Sequence, residues 1–174
     1  TGARQGPRAV REQTTLVRRV NQATGICPFD LVSVADLGDA WLEAPYELMG
    51  AHREIQDFFA NVAKAGTTTL AVGGDHSISL PILRAIAKDG PVGMVHIDAH
   101  CDTGDDYLGS RFHHGAPFSR AVEEGLLDPK RVIQIGIRGN AEYLWEFSYD
   151  SGMTVIHAEA FHPIHCRQAK FKNG

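Results

Sequence analysis

Four side chains in the middle of the sequence carry the donor atoms that a divalent cation needs. In Val95-His96-Ile97-Asp98-Ala99-His100-Cys101-Asp102 an extended backbone alternates faces, so Asp98, His100 and Asp102 share one face and Ala99 and Cys101 the other. An earlier stretch, Gly73-Gly74-Asp75-His76-Ser77, follows a short apolar run, and its glycines permit a tight turn that throws His76 onto the same edge. Imidazole and carboxylate together suit Mn²⁺ without excluding Zn²⁺ or Co²⁺. Each stretch has a plainer reading. Asp98 to Asp102 could be a solvated polar loop, and the glycine turn could be a helix cap made by Asp75 or Ser77, or an anion-binding turn.

These residues need elements to present them, and the sequence supplies strands alternating with helices. Apolar runs predict strands over Asp30 to Ala35, Thr67 to Val72, Pro91 to Ile97, Arg131 to Ile137 and Met153 to His157. The run ending at Ile97 is expected to be buried on both faces, with Asp98 just beyond its carboxyl end, where ligands gather in open α/β sheets. Helical spacing predicts helices over Arg8 to Val20, Tyr46 to Lys64, Ser79 to Lys88, Pro117 to Leu127 and, more briefly, Tyr143 to Tyr149. The stripe Leu48, Ile55, Phe58, Phe59 and Val62 reads as core. Asp128-Pro129 reads as a turn, Asp36-Leu37-Gly38-Asp39 as the polar exit of a strand, and Thr103 to Phe112 as a turn-rich loop. The class is α/β, a three-layer doubly wound and mostly parallel sheet.

Composition narrows the function. The 174 residues are 43% hydrophobic and 22% charged, which fits a soluble globular chain with one sizeable core. No apolar run approaches a bilayer span, so no membrane partner is expected. A net charge of -4 leaves no basic surplus to displace phosphate counterions, so neither is nucleic acid. The three cysteines, Cys27, Cys101 and Cys166, are odd in number and widely spaced, which favours a reducing compartment over a disulfide framework. No secretory signal opens the chain, and cytoplasmic residence is expected, with mitochondria as the alternative. A nucleotide-binding domain using Gly73-Gly74 as a phosphate loop is disfavoured, because neither G-x-G-x-x-G nor a Walker pattern is present.

Taken together, Gly73-Gly74-Asp75-His76-Ser77 and Asp98-Ala99-His100-Cys101-Asp102 resemble the first two signatures of the ureohydrolases: arginase, agmatinase, guanidinobutyrase, guanidinopropionase, proclavaminate amidinohydrolase and formimidoylglutamase. The resemblance runs from Gly6-Pro7-Arg8 to about Phe161 and leans to the agmatinase and guanidino-acid branch. It implies an arginase-like fold and a binuclear manganese centre, in which His76 and Asp102 bind one ion, His100 the other, and Asp98 bridges them. Two adjacent divalent ions of this kind ready a water for attack near neutral pH. The implied reaction hydrolyses a linear guanidino compound to urea and a primary amine. A His-Gly pair follows the second signature in the family, and His114, before Gly115, matches it as the catalytic residue moving a proton to the departing amine. His113 is then a neighbour without a role.

The resemblance implies a small guanidino molecule as substrate. Acid groups at Asp105 and Asp106 suit the cationic tail of agmatine, the favoured substrate, whereas Arg111 could pair with the carboxylate of a guanidino acid, the alternative. The resemblance also implies a trimeric or hexameric homo-oligomer. It is incomplete: the family's later Ser-x-Asp-x-Asp signature and its substrate-facing glutamate are missing from the sequence. The expectation is a single partial domain over 1–174, lacking the last strands, with an atypical tail at about 162–174 whose histidines and cysteine match no zinc module. A second ion should then bind weakly, and this chain should be weakly active or inactive, or act as a non-catalytic member that binds a partner.

Overall fold

The computed structural model describes residues 2–139 and 144–161. Three strands, β1 (Val92–Ile97), β2 (Leu127–Ile137) and β3 (Thr154–His157), form a parallel sheet in that order. Parallel neighbours require crossovers, and the helices α4 (Pro117–Glu123) and α5 (Glu146–Ser151) supply them between β1 and β2 and between β2 and β3. Register sets Ile97 opposite Ile135 and His96 opposite Gln134, so the last two side chains share one face. The α/β class and the parallel sheet agree with the sequence.

Three helices precede these crossovers or pack on them. α1 (Gly6–Gln13) has Pro7 in its first turn, where a missing N–H costs no hydrogen bond. α2 (Leu48–Lys64) is capped by Glu47, whose carboxylate accepts from the Gly50 amide at 2.5 Å. α2 lies against α3 (Ser79–Ile86), and α3 against α4. The core forms where α3 and α4 meet the sheet: Leu80, Leu83, Phe118, Ala121 and Leu127 are buried together, with Val92 and Met94 of β1 packed on them. This cluster packs on the first half of β1, and its Phe118 reaches the residues of interest, touching the rings of His76 and His96.

Several expectations need correction. Asp30 to Ala35 and Thr67 to Val72 form no ladder with any described strand. Their apolar side chains stand in solvent instead, Leu31 at 72%, Val34 at 61% and Leu70 at 94% exposure. An apolar run becomes a strand only when a neighbouring backbone takes up its N–H and C=O groups. The first segment is tied by charge: Asp36 pairs with Arg11 at 2.8 Å, which holds the Asp36 carboxyl down to about 2. β1 is buried on one face only: among the described residues nothing covers the face carrying Val95 and Ile97, which are 68% and 78% exposed. Asp128-Pro129 is no turn but lies inside β2, where the pairing register shifts. α1 is shorter than expected, passing into a 3₁₀ turn over Thr14–Leu16. Cys27 and Cys101 are both unpaired thiols, whereas Tyr143, Cys166 and the tail at 162–174 lie outside the described residues.

This packing makes a clear contrast testable by urea denaturation. Leu80→Ala, at a side chain 1% exposed, should cost about 2–5 kcal/mol, while Leu70→Ala should change stability by no more than ~0.5 kcal/mol. Equal losses at the two positions would contradict the core described.

Candidate metal centre

The glycine turn is built to aim His76. Asp75 accepts from the Ser77 amide at 3.0 Å and so caps the 3₁₀ turn His76–Ile78 that leads into α3. Gly74 has φ +113°, a conformation that side-chain-bearing residues rarely adopt, and a Cβ on Gly73 would collide with the Ile78 side chain. Behind the turn, buried His52 of α2 approaches the Ser77 hydroxyl at 3.4 Å. His76 therefore has little freedom. Its ring packs edge-on against Phe118, with centroids 5.5 Å apart.

The second stretch meets it from the end of β1. His76 Nδ1 lies 2.5 Å from Asp102 Oδ2 and 3.6 Å from Asp98 Oδ2. Asp102 has φ +51°, a left-handed step that aspartate tolerates better than most residues, and the chain doubles back there toward His76. The loop beyond is pinned from two sides. The Phe118 amide donates to the Asp102 carbonyl at 3.2 Å, and the hydroxyls of Thr103 and Ser148 lie 2.9 Å apart beneath it.

His100 does not share the face that strict alternation predicts. Asp98 Oδ1 accepts from the His100 amide at 3.0 Å, and the Ala99 carbonyl accepts from the amides of Arg138 and Gly139, so the chain bends after Asp98. The His100 side chain is 64% exposed, with Nδ1 3.5 Å from Asp98 Oδ1. It stands over Gly139, where a Cβ would come within 3.2 Å of the ring. The two oxygens of Asp98 thus face different imidazoles, Oδ2 toward His76 and Oδ1 toward His100.

A further histidine, not singled out from the sequence, joins the group. One ligand atom from each of His76, His96, Asp98 and Asp102 falls within 4.8 Å of all the others. His96 lies two residues before Asp98 on the inward face of β1, a spacing that could have marked it, but the apolar run hides it as strand filler. Two carboxylates and two imidazoles in a partly buried setting are a donor set that fits a divalent cation. Two recesses of about 310 and 290 Å³ flank His76, the larger lined by His96, Phe118, Met94 and Ile97.

The surrounding charges follow from the contacts. Donating a hydrogen bond to Asp102 raises the His76 imidazole above its usual range, against burial that would lower it. Burial pushes His96 the other way. Asp98 is partly buried, which alone would raise it, yet the His100 amide and nearby imidazoles hold it below its ordinary value.

The loop at 103–115 separates its two histidines. His113 Nδ1 accepts from the Gly115 amide at 3.1 Å, and its Nε2 donates to the Asp105 carbonyl at 2.9 Å, so both nitrogens serve the loop. His114 is exposed. Arg111 is taken up by Asp105 at 3.0 Å and Glu123 at 2.9 Å, and Arg120 by the same two carboxylates at 3.1 and 2.9 Å.

These opposite shifts have a measurable sign. In chelator-treated protein followed by NMR, His76 should titrate above 6.5 and His96 below it. Because the folded value of His76 is the raised one, the stabilisation from its contact with Asp102 is complete below about pH 6.5 and is lost as pH rises through the folded midpoint. A His76 midpoint below that of His96 would contradict the geometry.

The arginase family model matches residues 1–171. A guanidinopropionase of Pseudomonas aeruginosa is 50% identical over 163 residues, which are 92% of this chain and 51% of that protein. The mitochondrial agmatinase of Gallus gallus is 48% identical over 161 residues, 91% of this chain and 47% of its own. Among solved structures, proclavaminate amidinohydrolase from Streptomyces clavuligerus superposes with a TM-score of 0.85 at 37% identity, covering 92% of this chain and 54% of that one. The chain spans about half the length of the curated relatives it matches. With a family model spanning nearly all of it and relatives this similar, the chain belongs to the arginase family.

Proposed function

We propose that this chain carries part of a binuclear manganese centre that hydrolyses a linear guanidino compound to urea and a primary amine. The observation that carries the reading is the division of the Asp98 carboxylate, one oxygen toward His76 and the other toward His100. That division suits a bridging carboxylate, with His76 and Asp102 holding one ion and His100 the other. Bound there, the ions would supply Lewis acidity and a water acidified enough to attack near neutral pH. The protein's own contribution is orientation: Asp75 caps the turn that aims His76, and Phe118 fixes both the His76 ring and the Asp102 backbone. With so few protein ligands, the second ion should be the weaker one.

The reaction breaks the bond from the guanidino carbon to the alkyl nitrogen, and that nitrogen must leave protonated. His114 supports this role better than His113 does, because its neighbour's two nitrogens are already engaged in the loop. A neutral imidazole can relay that proton at physiological pH.

The end group of the substrate has less support than the sequence offers. Asp105 is paired with Arg111 and Arg120, so it is not a free anion awaiting the cationic tail of agmatine, while Asp106 accepts from the Gly109 amide at 2.9 Å. Arg111 is equally occupied and presents no free guanidinium to a guanidino acid. The proposed class is therefore guanidino compounds, with agmatine and guanidino acids as its two branches. The names of the relatives fall in both. Trimeric or hexameric assembly, and residence in the cytoplasm or mitochondria, are part of the same proposal. No helix among the described residues is long and apolar enough to cross a membrane.

Two measurements test this reading. Mn²⁺ titration followed by EPR should show saturable binding that Asp98→Asn and His76→Asn remove. Urea release from agmatine and 4-guanidinobutyrate should be slow, abolished by chelator, and lowered by about 10²–10⁴-fold in His114→Asn. Binding unchanged by the Asp98 and His76 substitutions, or urea release indifferent to chelator, would contradict it.

A further inference from the structure

His96 sits among the donor atoms of the centre, yet its buried surroundings assign it a different task. We propose that His96 is a positioning residue that donates a hydrogen bond to Asp98, in a tautomer fixed by Gln134, and is not itself a metal ligand. The inference rests on the metal reading above for its consequence, though not for its geometry.

The argument starts at Gln134, which is completely buried and lies opposite His96 in the sheet. Its Nε2 is 2.7 Å from the Cys101 carbonyl and 3.2 Å from His96 Nδ1. A carbonyl can only accept, so the amide nitrogen must face it; the flipped amide would bring two acceptor oxygens to 2.7 Å. Both Gln134 contacts are therefore donations, and His96 Nδ1 must offer a lone pair. A neutral imidazole carries one N–H, which is then at Nε2. That atom is buried and meets no acceptor at full hydrogen-bond geometry among the described residues; Asp98 Oδ2, 3.4 Å away, is the carboxylate oxygen within its reach.

Ligation by Nε2 would require the opposite tautomer. The ring proton would move to Nδ1 and meet the Gln134 N–H head-on across 3.2 Å. Nor can the ring swing away freely, since it is 6% exposed and packed at a tilt against the Phe118 ring, with centroids 4.5 Å apart. Asp98 is thereby held at both oxygens: the His100 amide donates to Oδ1 at 3.0 Å, and His96 approaches Oδ2. Groups that orient a ligating carboxylate in this way typically affect metal affinity by about 10–100-fold when removed.

The test uses the 174-residue chain. In chelator-treated wild type, long-range ¹H–¹⁵N spectra should show His96 protonated at Nε2, with Nδ1 carrying the shift of a hydrogen-bond acceptor. Protonation at Nδ1 would overturn the proposal, and this reading needs no variant to fold. For Mn²⁺ affinity, His96→Gln keeps an N–H near Asp98 and should stay within about threefold of wild type, whereas His96→Leu should lose about 10–100-fold. Equal loss in both variants would make His96 a ligand, and no loss in His96→Leu would deny it any role; either overturns the proposal. His76→Gln serves as the control. If Mn²⁺ affinity survives that change, the metal reading has failed, and the tautomer measured without metal still decides whether Gln134 and His96 are arranged as described.

Discussion

Two carboxylates, Asp98 and Asp102, are held against one imidazole, and that crowding of negative charge constrains everything around it. Like charges brought together in a half-buried setting repel unless positive charge sits between them. In the protein as described His76 meets part of that demand, 2.5 Å from Asp102 and 3.6 Å from Asp98. One imidazolium is a single positive charge for two carboxylates. A divalent cation would meet the demand more fully, and that imbalance adds a physical reason, beside the division of the Asp98 carboxylate, for reading the cluster as a metal centre.

The fold serves this convergence by bringing two loops to one edge of a parallel sheet. The core of Leu80, Phe118 and Leu127 couples α3, which begins just after the His76 turn, to α4, whose first turn holds the Asp102 backbone. Disturbing that core would separate the two halves of the centre without touching either. By contrast the ionic network of Asp105, Arg111, Arg120 and Glu123 organises the loop bearing His113 and His114. Those charges hold the protein's own loop together and are not spare contacts for a substrate.

Much of this was legible in the sequence, and the failures have physical causes. His76, Asp98 and Asp102 could be placed because glycine turns and strand ends are local features. α2 and α3 could be placed because apolar helical spacing is a local feature too. The segments at 30–35 and 67–72 misled because an apolar run states a need for burial without saying whether a partner backbone lies beside it. His100 left its expected face because the Asp98 side chain competes for its amide, a local bond that outweighs alternation. His96 and Gln134 were invisible because their roles depend on cross-strand register, which no single strand records.

The most direct test of the central claim is an anomalous-scattering map from crystals of this chain grown with Mn²⁺. The account predicts a peak between His76 Nδ1 and the carboxylates of Asp98 and Asp102, with any second, weaker peak on the His100 side of Asp98. Crystals that take up Mn²⁺ elsewhere, or leave the space between those three side chains without a peak at saturating metal, would contradict it.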